Sequence, residues 1–387
     1  MKVLFTSVSA IGHIHPMIPL AHALRDAGHD LLWATGPDAG TRLTEAGLDS
    51  VAVSEPWEDL RAELRIRFPD PPMSARDMPD HVFPHLFGDI SAPRMLAGTM
   101  PVARDWAPDL IVHDAAEFAA PIIAETLGVP SVTHGFGTLT PIWRVAAAAE
   151  AVAPLWRSAG LDPRPFGGAY DYLYLDIYPG GLQSGDTSHV PHRQSLRPIS
   201  FDDGGGDSRA DSFLESTDPR PLVYLTSGTI ERDPRPLRLA TEAVAALDVR
   251  LIVTVGPQGD PEAIGLQPAH VLVERYVPQS RILRRCSIVA SHAGSGTFLA
   301  TLTQGLPQLC MPRAADQFLN TDACIRVGAG IGLEPADATG AAIASAISRL
   351  LTEEGFRSRA GRLATEIAAM PGPAEVVRVL ERLAGGA

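Results

Sequence analysis

Six consecutive residues, His292-Ala293-Gly294-Ser295-Gly296-Thr297, have the make-up of a phosphate-binding turn. They follow an apolar run of strand length, Ser287 to Ser291, and lead into Phe298-Leu299-Ala300-Thr301-Leu302, where a helical pattern begins. The unpaired N–H groups of a first helical turn face outward, and the helix dipole favours negative charge there. Gly294 and Gly296 let the backbone approach an anion closely, Ser295 and Thr297 add hydroxyl donors, and His292 at the strand's carboxyl end adds a ring N–H. The next strand, Leu306 to Pro312, is followed by Asp316-Gln317, a second polar group placed to take hydroxyls. A nucleotide joined to a polyol fits such a pair. Ser227-Gly228-Thr229 closes the strand Leu222 to Thr226, and Ser227 and Thr229 read as a further phosphate contact.

Different chemistry is carried near the amino terminus. His13 lies in Ile11-Gly12-His13-Ile14-His15-Pro16, just after the strand Lys2 to Thr6. Gly12 permits a tight turn, so the imidazole projects from the carboxyl edge of the sheet. Asp114 ends the strand Pro108 to His113 of the same sheet, and both side chains can reach one cleft. An Asp behind a His fixes its tautomer and stabilises the imidazolium that forms when the ring takes a proton. Strand alternation sends His113 to the opposite face from Asp114. His15 and His22 fall in a helical segment and read as structural or surface residues.

These residues need a frame. Strands at 2–6, 30–34, 108–113 and 129–134 alternate with helices at 15–27, 41–46, 115–127 and 141–156, which argues for a doubly wound parallel sheet. Residues 55–99 have poor periodicity, and we expect helices and loops over one mouth of this domain. Residues 201–220, rich in Gly, Asp and Ser, read as a linker. A second alternation begins at 222–226 and continues through 250–255 and 271–274. The expected architecture is α/β, two Rossmann-like doubly wound domains facing a cleft. Their bounds are 1–200 and 221–370, with a terminal helix at 371–387.

Composition narrows the class. The 387 residues suffice for two full cores, and 45% apolar with 20% charged residues describes an ordinary globular protein. A net charge of −13 argues against nucleic acid or an anionic membrane as partner. The three cysteines, Cys286, Cys310 and Cys324, sit in apolar or helical context and read as reduced core residues. With no apolar run of membrane-spanning length and no signal-peptide pattern at Met1 to Ser7, a cytoplasmic location is expected.

The longer string from Val277 to Gly330 resembles the donor-binding signature of family 1 glycosyltransferases of the two-domain GT-B fold, especially bacterial enzymes that glycosylate antibiotics and related natural products. The resemblance rests on Val277-Pro278-Gln279, Ile282-Leu283, His292 to Thr297, Gly305-Leu306-Pro307, Pro312, Asp316-Gln317, Asn320 and Gly328-Ala329-Gly330. It departs at Ala293, where the family usually has glycine. The resemblance implies that Val277 presents backbone groups to a nucleobase, that Asp316-Gln317 contacts the sugar, that His13 is the acceptor-activating base and that Asp114 supports it. It also implies that residues 1–200 form an acceptor-binding domain, that residues 221–370 form a nucleotide-sugar-binding domain, and that the last helix, 371–387, returns to pack on the first.

Glycosyl transfer must stabilise a departing diphosphate and remove a proton from the attacking hydroxyl. No Asp-x-Asp metal motif occurs in the chain, so the helix start with His292 is expected to serve the diphosphate without a metal. The reading is an inverting glycosyltransferase with no cofactor, joining a nucleoside diphosphate sugar to a small hydroxylated aglycone. A dTDP-linked deoxysugar is the favoured donor, with UDP sugars, the acceptor and a homodimeric state left open. A nucleotide-sugar epimerase of the same fold and a non-catalytic accessory subunit are the alternatives.

Overall fold

The computed structural model describes residues 1–385 apart from 203–207, 229–232 and 258. The chain divides into two compact units: residues 1–178, 184–201 and 370–387 form unit 1, and residues 179–183 and 202–369 form unit 2.

Unit 1 is built on strands β1 (Lys2–Thr6), β2 (Asp30–Thr35), β3 (Ser50–Ala52), β4 (Leu110–Asp114), β5 (Ser131–His134), β6 (Leu173–Asp176) and β7 (Arg193–Ser195). They lie in the order β3-β2-β1-β4-β5-β6-β7, each pairing parallel. A parallel sheet covered on both faces needs strands that are apolar throughout, and Val3–Thr6 and Leu110–Asp114 are buried at every position. One face packs Leu4, Ile111, Ala119 and Ile123 against Met95, and the other packs Phe118, Val145, Trp156 and Tyr174.

Several expected bounds move, each for a local reason. The helix expected over 15–27 starts only at Ile18, with Pro19 in its first turn, and runs to Asp26, while a separate short helix, Ile11–Ile14, ends before Pro16. The helix expected from residue 115 runs only over Ala120–Leu127, because side-chain carboxylates take the amides before it: Asp114 Oδ1 that of Ala116, Glu117 Oε1 that of Ala119. The stretch 55–99 is largely helical (Trp57–Arg67, Met78–Phe83 and Ala92–Trp106) and includes a π-helix at Pro84–Ser91. The last helix, Pro373–Gly385, buries Val376, Val377 and Leu380, packs on the Ile18–Asp26 helix and reaches His29 through Glu381 at 3.1 Å.

Unit 2 repeats the plan with β8 (Leu222–Thr226), β9 (Arg250–Thr254), β10 (Val271–Glu274), β11 (Ile288–Ser291), β12 (Gln308–Cys310) and β13 (Gly330–Gly332), in the order β10-β9-β8-β11-β12-β13. Alternate residues serve opposite faces: Val223, Leu225, Leu251 and Val253 meet Ile343 and Ile347, while Leu222, Tyr224 and Ile252 meet Leu283 and Ala300. Part of the stretch read as linker is core here. Ala210 and Leu214 of the helix Ser208–Leu214 are buried in that second cluster, so its apolar positions outweigh the linker-like composition around them.

Candidate functional site

In a doubly wound sheet, the loops leaving adjacent strands part company where the strand order reverses, and a crevice opens at the strands' carboxyl ends. In unit 1 that point lies between β1 and β4, in unit 2 between β8 and β11. The sequence-selected residues gather at these two points.

In unit 1, β1 feeds the turn that ends in the short helix Ile11–Ile14, and β4 ends in Asp114. His13 Nδ1 lies 3.0 Å from Asp114 Oδ1. Asp114 is fully buried and also accepts from the amides of Ala116 at 2.7 Å and Val8 at 3.0 Å. Three hydrogen bonds into one carboxylate fix its orientation. With Nδ1 committed to the carboxylate, Nε2 is the ring nitrogen left for a substrate. The imidazole is bordered by Phe136, Phe87 and Trp57, with ring centroids 4.5, 5.5 and 6.4 Å away. His113 points elsewhere, its Nε2 3.0 Å from the Thr133 hydroxyl, and burial pulls it down to about 4, hence neutral. His15 lies 3.1 Å from an Arg42 guanidinium nitrogen, and burial followed by that charge also holds it at about 4.

In unit 2, β11 ends at Ser291, and the helix Ser295–Thr303 starts with Gly294 at its N-cap and no side chain capping it. The first-turn amides therefore face outward as a helix-terminus anion site requires. The His292 imidazole lies between Gly228 and Gly294, and a methyl group at either glycine would overlap it. This gives Gly228, which itself sits at φ +79°, a packing reason as well as a conformational one. Ser227 is half-buried beside it at the end of β8, and Thr229 lies outside the described residues. Thr297 Oγ1 accepts from Gln279 Nε2 at 3.0 Å, which leaves the threonine proton to donate.

Three of the donor-site residues have part of their capacity already engaged or constrained. Ser295 does not offer a free hydroxyl proton: its Oγ donates to Asp316 Oδ2 and accepts from Asn320 Nδ2 at 3.0 Å, leaving the backbone amide as its donor. Gln317 folds its side-chain carbonyl back on the preceding loop to take the amides of Arg313 at 2.8 Å and Ala314 at 3.0 Å, so only its amide nitrogen is left for a ligand. Ala293, where the family usually has glycine, carries a backbone cost. It sits at φ +63° with its side chain buried, a left-handed conformation that disfavours every residue with a Cβ, and its carbonyl is held by Asn320 Nδ2 at 2.9 Å. Val277 is buried, so only its backbone can meet a base.

Some residues at these points escaped sequence reasoning. Trp57, Phe87 and Phe136 come from three distant segments, and no spacing announces their approach to His13. Glu117 carried a signal, a carboxylate among Ala, Phe and Pro three residues after Asp114. Asn320 was legible only as part of a motif; the fold shows it clamping the turn.

Two family models match the chain, Erythromycin biosynthesis protein CIII-like, N-terminal domain, over residues 22–154 and the C-terminal domain of the same description over residues 238–383. The chain is 32% identical to L-demethylnoviosyl transferase of Streptomyces niveus, over 98% of this chain and 97% of that protein. It is 30% identical to the elloramycin glycosyltransferase ElmGT of Streptomyces olivaceus, over 100% and 98%. Among solved structures, the spinosyn rhamnosyltransferase SpnG complexed with thymidine diphosphate superposes with a TM-score of 0.83 at 26% identity, over 98% of this chain and 100% of that one.

Proposed function

From the premise that the chain belongs to the erythromycin CIII-like family of antibiotic glycosyltransferases, we propose that it moves a deoxysugar from a dTDP-linked donor to a hydroxyl of a polyketide-like natural product, with inversion and without a metal. The observation that carries the catalytic reading is the 3.0 Å contact between His13 and the buried Asp114. Nε2 of His13 takes the acceptor's hydroxyl proton as the oxygen attacks the anomeric carbon, and the Asp114 carboxylate stabilises the imidazolium. The bond from the anomeric carbon to the diphosphate oxygen breaks as the new one forms, so a single in-line displacement inverts the centre. The products are the glycoside, dTDP and the proton on His13. Base catalysis of this kind typically contributes about 10²–10⁴-fold.

The amides of Ser295, Gly296 and Thr297, with the Thr297 hydroxyl and His292, receive the departing diphosphate, and Asp316 and the Gln317 amide meet sugar hydroxyls. The dTDP preference is supported by the thymidine diphosphate complex of the spinosyn rhamnosyltransferase, and the deoxysugar by the rhamnose, a 6-deoxysugar, that the same relative transfers by its description. Incubation with a dTDP-deoxysugar and a panel of polyketide aglycones should yield a glycoside of inverted anomeric configuration by NMR. Release of free or epimerised sugar nucleotide without glycoside would refute the reading.

A further inference from the structure

Glu117 lies wholly inside unit 1, at 2% exposure, and the proposed chemistry does not use it. Its Oε1 accepts from the Ala119 amide at 2.7 Å, and its Oε2 accepts from the Ala120 amide at 3.1 Å and the Thr6 hydroxyl at 2.7 Å. Thr6 is the last residue of β1. Two residues on, the Val8 amide donates to Asp114 Oδ2, and the chain then runs to His13. The two carboxylates of Asp114-Ala115-Ala116-Glu117 therefore grip the start of the segment that delivers His13, one of them being the partner of His13 itself.

We propose that Glu117 is a positioning residue that both anchors the His13–Asp114 pair and tunes its basicity by charge; the proposal rests on His13 being the base. Burial, with a smaller push from Asp114, raises the Glu117 carboxyl to about 7 against the opposing pull of its hydrogen bonds. Thr6 serves either state. Its hydroxyl donates to the carboxylate and, turned round, accepts from the protonated acid, so the anchor survives while the charge changes. Other groups nearby do not mask the effect. His113 on β4 and His134 on β5 are buried and held at about 4, hence neutral. On the neighbouring helix Ala92–Trp106, Arg94 is paired with Glu55 and Glu63, and Arg104 and Asp105 are exposed. A negative Glu117 behind Asp114 favours the imidazolium that His13 becomes, so its loss weakens the base where Glu117 would be charged.

Glu117→Gln keeps the shape and mimics the protonated acid. The test compares kcat of wild type and this variant from pH 6 to pH 8 on an aliphatic alcohol acceptor, with His13→Ala beside them. Expected are near-equal rates at pH 6, a variant several-fold slower at pH 8, and an unchanged KM for the donor. Thr6→Val, which removes the donor to the carboxylate, should show the same pH-dependent deficit and supplies the test if Glu117→Gln does not fold. A deficit constant across pH, or none, overturns the proposal. Normal turnover by His13→Ala overturns the assignment of the base instead, and so separates the two failures.

Discussion

At the scale of single residues, the proposed base and its partner act as one unit, so their losses should not add. His13→Ala should remove most of kcat, about 10²-fold or more on an aliphatic alcohol. Asp114→Asn should lose a comparable part by favouring the wrong tautomer, and the double variant should be little worse than His13→Ala. Additive losses in steady-state kinetics would show two independent roles. Glu117 makes a prediction about stability. Its folded value, about 7, stands above the ordinary 4.5, so the stabilisation it gives is complete below pH 4.5 and is lost as pH rises through 7. Melting curves should show wild type falling relative to Glu117→Gln between pH 5 and 8, by on the order of 2–3 kcal/mol at full ionisation. Ala293 makes another. Replacing it by glycine relieves the left-handed strain at φ +63° while loosening the unfolded chain, for a net gain of up to about 1 kcal/mol in urea unfolding. Loss of stability would mean that the buried methyl outweighs its backbone cost.

At the scale of elements, the donor site is a helix start whose amides are kept outward by what surrounds it. Asn320, on the helix Gln317–Val327, holds the Ala293 carbonyl and the Ser295 hydroxyl, and Gly228 and Gly294 leave room for His292. Gly294→Ala should therefore displace the imidazole and the turn together. Isothermal titration should show dTDP binding weakened at least tenfold, about 1.4 kcal/mol, with the unit 1 residues untouched. Wild-type affinity in that variant would remove His292 and its turn from the phosphate site.

At the scale of the whole molecule, the proposed labour is split between units: unit 1 supplies the base, unit 2 the diphosphate site. Ligand linkage can read them separately. A saturating dTDP concentration of about 100 Kd should raise stability by about 2.7 kcal/mol in wild type and in His13→Ala alike. A stabilisation missing from His13→Ala would place nucleotide binding partly on unit 1. The same preparation should keep full activity in excess EDTA, since the helix terminus is proposed to carry the leaving charge.

The sequence alone determined the parallel α/β architecture, because strands buried on both faces must be apolar throughout and helices must repeat at their own period. It also determined the turn from His292 to Thr297, whose glycines and hydroxyls are contiguous. Sequence even placed His13 and Asp114 at strand ends. Their 3.0 Å contact, however, depends on β1 and β4 being neighbours, a pairing across more than a hundred residues that local pattern does not encode. Tertiary structure alone decided where the short strands β3, β6 and β7 lie, which take their place from the sheet edge they extend. It likewise decided that Ser295 spends its proton on Asp316, that the Gln317 carbonyl is taken up by the preceding loop and that Glu117 is buried. A side chain's partners are set by what other segments bring beside it, and the chain's own order does not list them.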